Sequence, residues 1–215
     1  MHRYVNGAGL VDYRALRERD RAALDGYLAS LAEVDAARLP REEQLALWIN
    51  AYNACVFAGV LDRYPVRSVK NVMGFFDRIR YQIAKGSLTL NEVEGRGRAL
   101  GDWRVHFAVV CASSSCPFLR NEAYAPARLD AQLADQLRRF LTDPTRGLRA
   151  EGDTLWVSKI FKWYAKDFIP SGPLAPQTLL PLIRSSLEPA RAQAIQPQRL
   201  TLKFLDYDWS LNEGS

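Results

Sequence analysis

The residues best suited to chemistry lie in one stretch, Arg104-Val-His-Phe-Ala-Val-Val-Cys-Ala-Ser-Ser-Ser-Cys-Pro117. His106 is one of two histidines in the chain, and Cys111 and Cys116 are two of its three cysteines. A thiolate beside an imidazole is the arrangement of covalent acyl transfer. Val105 to Cys111 reads as a buried strand, which limits a direct dyad. Along a strand, residues 106 and 111 face opposite sides and stand about 16 Å apart at ~3.3 Å per residue. Cys116 lies beyond a run of small residues and can fold back towards the histidine. The loop leaving the strand exposes backbone N–H groups, so Ser113, Ser114 and Ser115 are candidates for holding an anion or oxyanion. A plainer reading stands beside this one. Cys111 is then a buried small hydrophobe or the disulfide partner of Cys116, and His106 is a core histidine bonded to a backbone carbonyl.

Three further sets of residues matter to that stretch. Glu94 either orients His106 as the third member of a Cys-His-Glu arrangement or, with Asn91 three residues before it, closes a helix capping box. Asn50 and Asn53 sit about one turn apart on an otherwise apolar helix. A buried amide without partners costs roughly 1–3 kcal/mol, so both must bond to a loop backbone, to the imidazole or to a ligand. Lys159, Lys162 and Asp167 flank Phe161, Trp163, Tyr164 and Phe168, either lining a cleft or forming an amphipathic helix seated on the core.

The elements that must position these groups follow from periodicity. Residues 11–34 carry an apolar stripe and predict one amphipathic helix. Pro40, followed by Glu42 and Glu43, opens a second helix that is apolar almost all round to Leu61, the expected buried central helix. Residues 81–84 and 87–90 predict a hairpin turning at Lys85-Gly86, with a helix starting at Asn91. Residues 126–141 predict a helix with leucines at every fourth position, 147–157 a second hairpin, 158–166 a short helix capped by Ser158, 179–187 a helical piece and 200–205 a last strand. The mixture lacks regular βαβ alternation. It implies an α+β fold: a small, mainly antiparallel sheet packed against several helices. The whole of 1–215 reads as one domain, with 1–10 the end of a longer helix and 170–199 a Pro/Ala-rich peripheral segment.

Composition narrows the function classes. The chain has 215 residues, 48% of them hydrophobic, enough for a sizeable core. No apolar run reaches the ~18 residues of a membrane span; the longest, 45–61, is interrupted by Asn50 and Asn53. The net charge of +5 is spread along the chain rather than gathered in a basic stripe, which argues against nucleic acid as a partner. No cysteine or histidine spacing suits zinc, and no cofactor motif occurs. The expected partner is a small molecule or peptide. The first residues carry no signal peptide, but they read as the end of a helix. The expectation is periplasmic or exported if a signal lies upstream, and cytoplasmic otherwise.

Six segments in order resemble the family called domain of unknown function 547. They are Gly9-Leu-Val-Asp-Tyr13, Leu47-Trp-Ile-Asn-Ala-Tyr-Asn-Ala54, Leu88-Thr-Leu-Asn-Glu-Val-Glu94, the Arg104–Pro117 stretch, Val157-Ser-Lys-Ile-Phe-Lys-Trp-Tyr164 with Asp167-Phe168, and Tyr207-Asp-Trp-Ser-Leu-Asn212. They imply a near full-length match. The resemblance implies a domain found in bacteria, often in exported proteins, and in plant and animal chains fused to other modules, glutaredoxin-like ones included. It implies no established activity. Members typically have Glu-His where this chain has Glu94-Gly95, so a role for that second histidine does not carry over. Position 55 is usually aliphatic in the family, which marks Cys55 as a core substitution.

A helix packed on a histidine-bearing strand is similar to papain-like and transglutaminase-like thiol enzymes, although there the nucleophile heads the central helix and here that helix has no cysteine before Cys55. The leading expectation is a thiol-dependent hydrolase or acyl or peptidyl transferase. Cys116 or Cys111 would be the nucleophile, His106 the base, and Glu94 or Asn50 the orienting group. The alternative is a non-catalytic module in which the serine loop and the helix amides bind a small anion or peptide end. Redox sensing by the cysteine pair is a third reading.

Overall fold

Asp20 divides the helix expected over residues 11–34. The computed structural model, which describes residues 3–195 and 200–214, has α1 at Tyr13–Arg19 and α2 at Arg21–Ala32. The Asp12 carboxylate accepts from the Ala15 N–H and starts α1. Asp20 leaves the helical region at φ −132°, and its carboxylate accepts from the Tyr4 hydroxyl at 2.7 Å. Residues 3–11 are not a helix tail. They form turns and the bridge Val5–Val11, as Gly7-Ala-Gly9 with Gly9 at φ +72° favours. Met1 and His2 lie outside the described residues.

Pro40 precedes α3 (Arg41–Leu61), and Glu42 and Glu43 meet its positive N-terminal end. From Leu45 to Leu61 only Leu47 and Asn50 are not fully buried. α3 is the one described helix long and apolar enough to span a membrane. Its most apolar window has mean hydropathy 1.3 and is 83% buried inside the fold, as in the core helix of a globular protein.

The hairpin β1 (Arg80–Ile83) and β2 (Gly86–Thr89) turns at Ala84-Lys85, one residue earlier than the sequence suggests. Both turn residues are left-handed, at φ 51° and 61°. Their N–H groups donate to Leu31 and Ala32 carbonyls at the end of α2, which offsets the strain of a non-glycine turn. Thr89, not Asn91, caps α4 (Leu90–Arg98). Its hydroxyl accepts from the Glu92 N–H, and the Glu92 carboxylate accepts from the Thr89 N–H. The local role expected for Glu94 is therefore already filled by Glu92.

The largest departure is at His106. Residues 103–107 form a 3-10 helix started by the Asp102 carboxylate, not a strand. Val105 and Ala108 are buried in one hydrophobic cluster while Phe107 is buried in another, so the segment is enclosed on both sides, and among the described residues no strand pairs with it. Asn53 replaces the missing ladder. Its amide donates to the Ala108 carbonyl at 3.0 Å and accepts from the Val110 N–H at 2.9 Å. The analogy to papain-like and transglutaminase-like enzymes rested on the strand that is replaced here.

Beyond it come α5 (Leu129–Thr142), the hairpin β3 (Leu148–Glu151) and β4 (Thr154–Val157), α6 (Lys159–Trp163), α7 (Ala165–Phe168), α8 (Pro176–Ile183), α9 (Pro189–Ala194) and β5 (Thr201–Phe204). β5 pairs parallel to β4, so the second sheet is mixed and the fold is α+β. Segment 170–199, expected to be peripheral, buries Leu179, Leu180, Ile183 and Ile195 in the second cluster. Each such side chain contributes about 1.5–3 kcal/mol. Residues 196–199 of that segment lie outside the described ones. One cluster gathers α1, α3, the first hairpin and α4; the other gathers α6 to α8 and the second hairpin. The candidate site lies at their seam.

Candidate active site

A cavity of about 260 Å³ opens at this seam. Tyr52, Phe76, Glu94, His106, Val109, Cys111, Cys116 and Pro117 line it from one side, and Ile160, Trp163, Tyr164, Tyr207 and Trp209 from the other. The candidate catalytic residues Cys111, Cys116, His106 and Glu94 are thus brought together. Facing constraints calculated for a strand do not apply, because the chain coils at 103–107 and turns sharply at Ala112. Ala112 is left-handed at φ 61° and 1% exposed, a strained position directly after Cys111.

The two thiols are free and share one hydrogen-bonded group. Cys116 Sγ accepts from the Cys111 backbone N–H at 3.0 Å and from the Tyr207 hydroxyl at 3.3 Å. The Ser113 hydroxyl donates to Tyr207 Oη at 3.1 Å and lies 3.1 Å from Cys111 Sγ. Burial disfavours a Cys116 thiolate, yet the donors from Cys111, Tyr207 and Ser113 outweigh it and lower the thiol to about 7. Cys111 moves the other way, well up, because it donates to Cys116, is buried, and would place a second negative charge beside the first. Burial pushes Cys55 up to about 12, which leaves it an inert core thiol.

His106 is 2% exposed and is held by a carboxylate rather than a backbone carbonyl. Its Nε2 lies 2.8 Å from Asp167 Oδ2, and Arg98 grips the same carboxylate through Nε at 2.7 Å and Nη2 at 3.1 Å. Arg98 keeps Asp167 ionised, so Asp167 only accepts and Nε2 carries the proton. The Tyr164 ring stacks on the imidazole at 4.0 Å and lies under the Arg98 guanidinium at 4.9 Å. Burial lowers His106 to about 4 against the pull of Asp167, so the ring is neutral near pH 7 and Nδ1 is a bare lone pair. That Nδ1 is buried and has no hydrogen-bond partner. Glu94 Oε1 is likewise buried and unpartnered. Burial raises the Glu94 carboxyl, against the Tyr164 hydroxyl and Arg98.

The expected binding residues fall elsewhere. Asn53 holds residues 108–110, as described above. Asn50 donates to the Tyr124 carbonyl at 2.8 Å and accepts from its N–H at 2.9 Å, away from the cavity. Ser114 and Ser115 hold the C-terminal segment. Their N–H groups donate to the Ser210 and Asp208 carbonyls at 2.8 and 3.1 Å, and the Cys116 N–H donates to Ser113. The amides expected to receive an anion or oxyanion are therefore used inside the fold. Of the three serines, only Ser113 joins the thiol group. Lys159 pairs with Asp206, and Lys162 lies over the Phe204 ring. Among the described residues no three His, Cys, Asp or Glu side chains converge as a metal requires. Sequence reasoning missed Arg98 and did not connect Tyr207 to the thiols. Asp167 was in view, but its carboxylate was not connected to the histidine.

Residues 36–141, about half of the chain, belong to the family described as "Protein of unknown function, DUF547". This supports the resemblance in the sequence over a shorter span than the six segments imply. Glu94, His106, Cys111 and Cys116 lie inside the matched span, whereas Tyr164, Asp167, Tyr207 and Trp209 lie outside it. No curated protein and no solved structure matches the chain.

Proposed function

For a chain whose residues 36–141 belong to the DUF547 family, we propose a thiol-dependent hydrolase or acyl transferase with Cys116 as nucleophile. One observation carries the reading: Cys116, supplied with hydrogen-bond donors, lines the same cavity as the carboxylate-held His106 with its unpartnered Nδ1. Cys116 sulfur attacks the acyl carbon and forms the S–C bond, and the thiol proton passes to His106 Nδ1. The imidazolium, stabilised by Asp167, gives that proton to the departing amine or alcohol as its bond to the acyl carbon breaks. Water then attacks the thioester and gives a proton to Nδ1, and this proton returns to the Cys116 sulfur as the acid leaves. A site low in basicity suits the second half of each step, because a strongly acidic imidazolium protonates leaving groups readily.

The donors on Cys116 assign work differently from a conventional thiol–imidazole pair. In the resting site they stabilise the thiolate without charging the histidine; the thiol form is the one that passes its proton to Nδ1 during attack. The reading of the serine loop as an anion-binding module loses support, because its amides already have partners. The test is an activated acetyl ester followed by intact-protein mass and peptide mapping. An acetyl adduct on Cys116 that turns over, absent in Cys116→Ser and long-lived in His106→Gln, is the expected outcome. An adduct confined to lysines, or none, contradicts the proposal.

A further inference from the structure

We infer that the cavity selects an acyl group carrying N–H donors, a carboxamide, over one carrying a carboxylate. The inference rests on the thiol-dependent reading and names its substrate class. Its grounds are two buried polar atoms that have no partner, His106 Nδ1 and Glu94 Oε1, each on a residue that lines the cavity. Nδ1 can only accept, because Nε2 holds the ring proton against Asp167. Glu94 as a carboxylate also only accepts.

Unpaired buried acceptors are costly, and native structures leave few of them. A ligand that presents N–H groups would satisfy both, whereas a ligand carboxylate would add a third acceptor and a like charge beside Glu94. The thiol side has the opposite character: its nearby donors, the Cys111 N–H and the Tyr207 hydroxyl, are already directed at Cys116. The two buried groups of the lining that lack a partner are therefore both acceptors.

The mouth of the cavity fits a peptide-borne amide. Trp163, Tyr207 and Trp209 cluster there with ring centroids 4.7–5.7 Å apart, and Trp163 is 46% exposed. A part-exposed aromatic cluster of this kind holds the apolar or planar part of a chain while its polar end enters. A glutamine or asparagine side chain, or a peptide amide, meets both demands. Attack by Cys116 on such a group breaks its C–N bond and releases ammonia or an amine. Water or an acceptor amine then takes the acyl group.

Three small electrophiles with one leaving group test this on the native protein: chloroacetamide, chloroacetamidine and chloroacetate. Each rate of Cys116 alkylation is divided by the rate for free glutathione. The expected result is a normalised preference of about tenfold or more for chloroacetamide over chloroacetate, of the size of a hydrogen bond to a charged acceptor. Glu94→Gln, which removes the charge and keeps the shape, should raise the chloroacetate rate and shrink the preference. Chloroacetamidine distinguishes a cationic substrate: if it exceeds chloroacetamide in the native protein and falls in Glu94→Gln, an amidinium replaces the neutral amide and the inference is overturned in that form. Alkylation of Cys116 with no preference, or with chloroacetate ahead, overturns the inference and leaves the thiol reading standing. No alkylation of Cys116 by any of the three overturns both.

Discussion

Replacing Tyr207 by Phe should move the thiol of Cys116 upward while leaving the fold intact. The ring stays to pack against Trp163 and Trp209, and only the hydroxyl 3.3 Å from Cys116 Sγ is lost. A hydrogen bond to a charged group contributes about 1.5–3 kcal/mol. At about 1.4 kcal/mol per pKa unit, the thiol should rise by roughly one to two units. Starting from about 7, it then titrates in the ordinary thiol range, and the thiolate at pH 7 falls from about half to roughly 1–10%. Stopped-flow alkylation across pH 5 to 10, with peptide mapping to confirm the site, reads both numbers. The rate at pH 7 should drop about 5- to 50-fold, whereas the plateau at high pH should be close to that of the native protein. A midpoint unchanged by the substitution would refute the reasoning, because the thiolate would then owe nothing to the Tyr207 donor.

Other consequences can be checked in parallel. His106→Gln should leave the Cys116 midpoint near 7 while abolishing turnover, since no part of the thiolate's stabilisation is assigned to the imidazole; a midpoint that rises would mean that the histidine is an ion-pair partner after all. His106 is held near 4 against 6.5 when unfolded, so the unfolded chain binds its proton first on acidification and stability must fall with pH below 6.5. Denaturant melts should lose about 1.6 kcal/mol between pH 6.5 and 5, and His106→Gln should remove most of that slope. Asn53→Ala strands a buried carbonyl and a buried N–H at residues 108 and 110 and should cost about 2–5 kcal/mol; a loss below about 1 kcal/mol would contradict its role as the substitute ladder. Thr89→Ala should cost about 1 kcal/mol by removing the α4 cap, with Asn91→Ala nearly silent.

Elements set by local rules were legible in the sequence. Pro40 with Glu42 and Glu43 marked α3, the apolar circumference of that helix marked its burial, and the leucines every fourth residue marked α5. The errors arose where distant partners decide. An apolar run such as 105–111 suits a strand only when another strand lies beside it, and here the Asn53 side chain takes that place. The capping box could have been read correctly, since Thr89-Leu-Asn-Glu92 has the same spacing as Asn91-Glu-Val-Glu94 and carries the Ser/Thr hydroxyl that the motif uses.

The candidate site follows the same division. The cysteines, His106 and Glu94 were visible as residue types, but the groups that tune them are remote. Asp167 lies 61 residues from His106, and Tyr207 lies 91 residues from Cys116. No periodicity links such pairs. The serine loop looked like an anion cradle because its hydroxyls and amides were counted without the C-terminal segment that takes them up.

The most direct measurement is a thiol titration of the native protein. Alkylation is followed from pH 5 to 9, and each modified cysteine is identified by mass spectrometry. The account predicts that Cys116 reacts first with a midpoint near 7, that Cys111 follows only at much higher pH, and that Cys55 stays unmodified. Preferential labelling of Cys111, a Cys116 midpoint at 8.5 or above, the value of an ordinary thiol, or recovery of the two as a disulfide would contradict it.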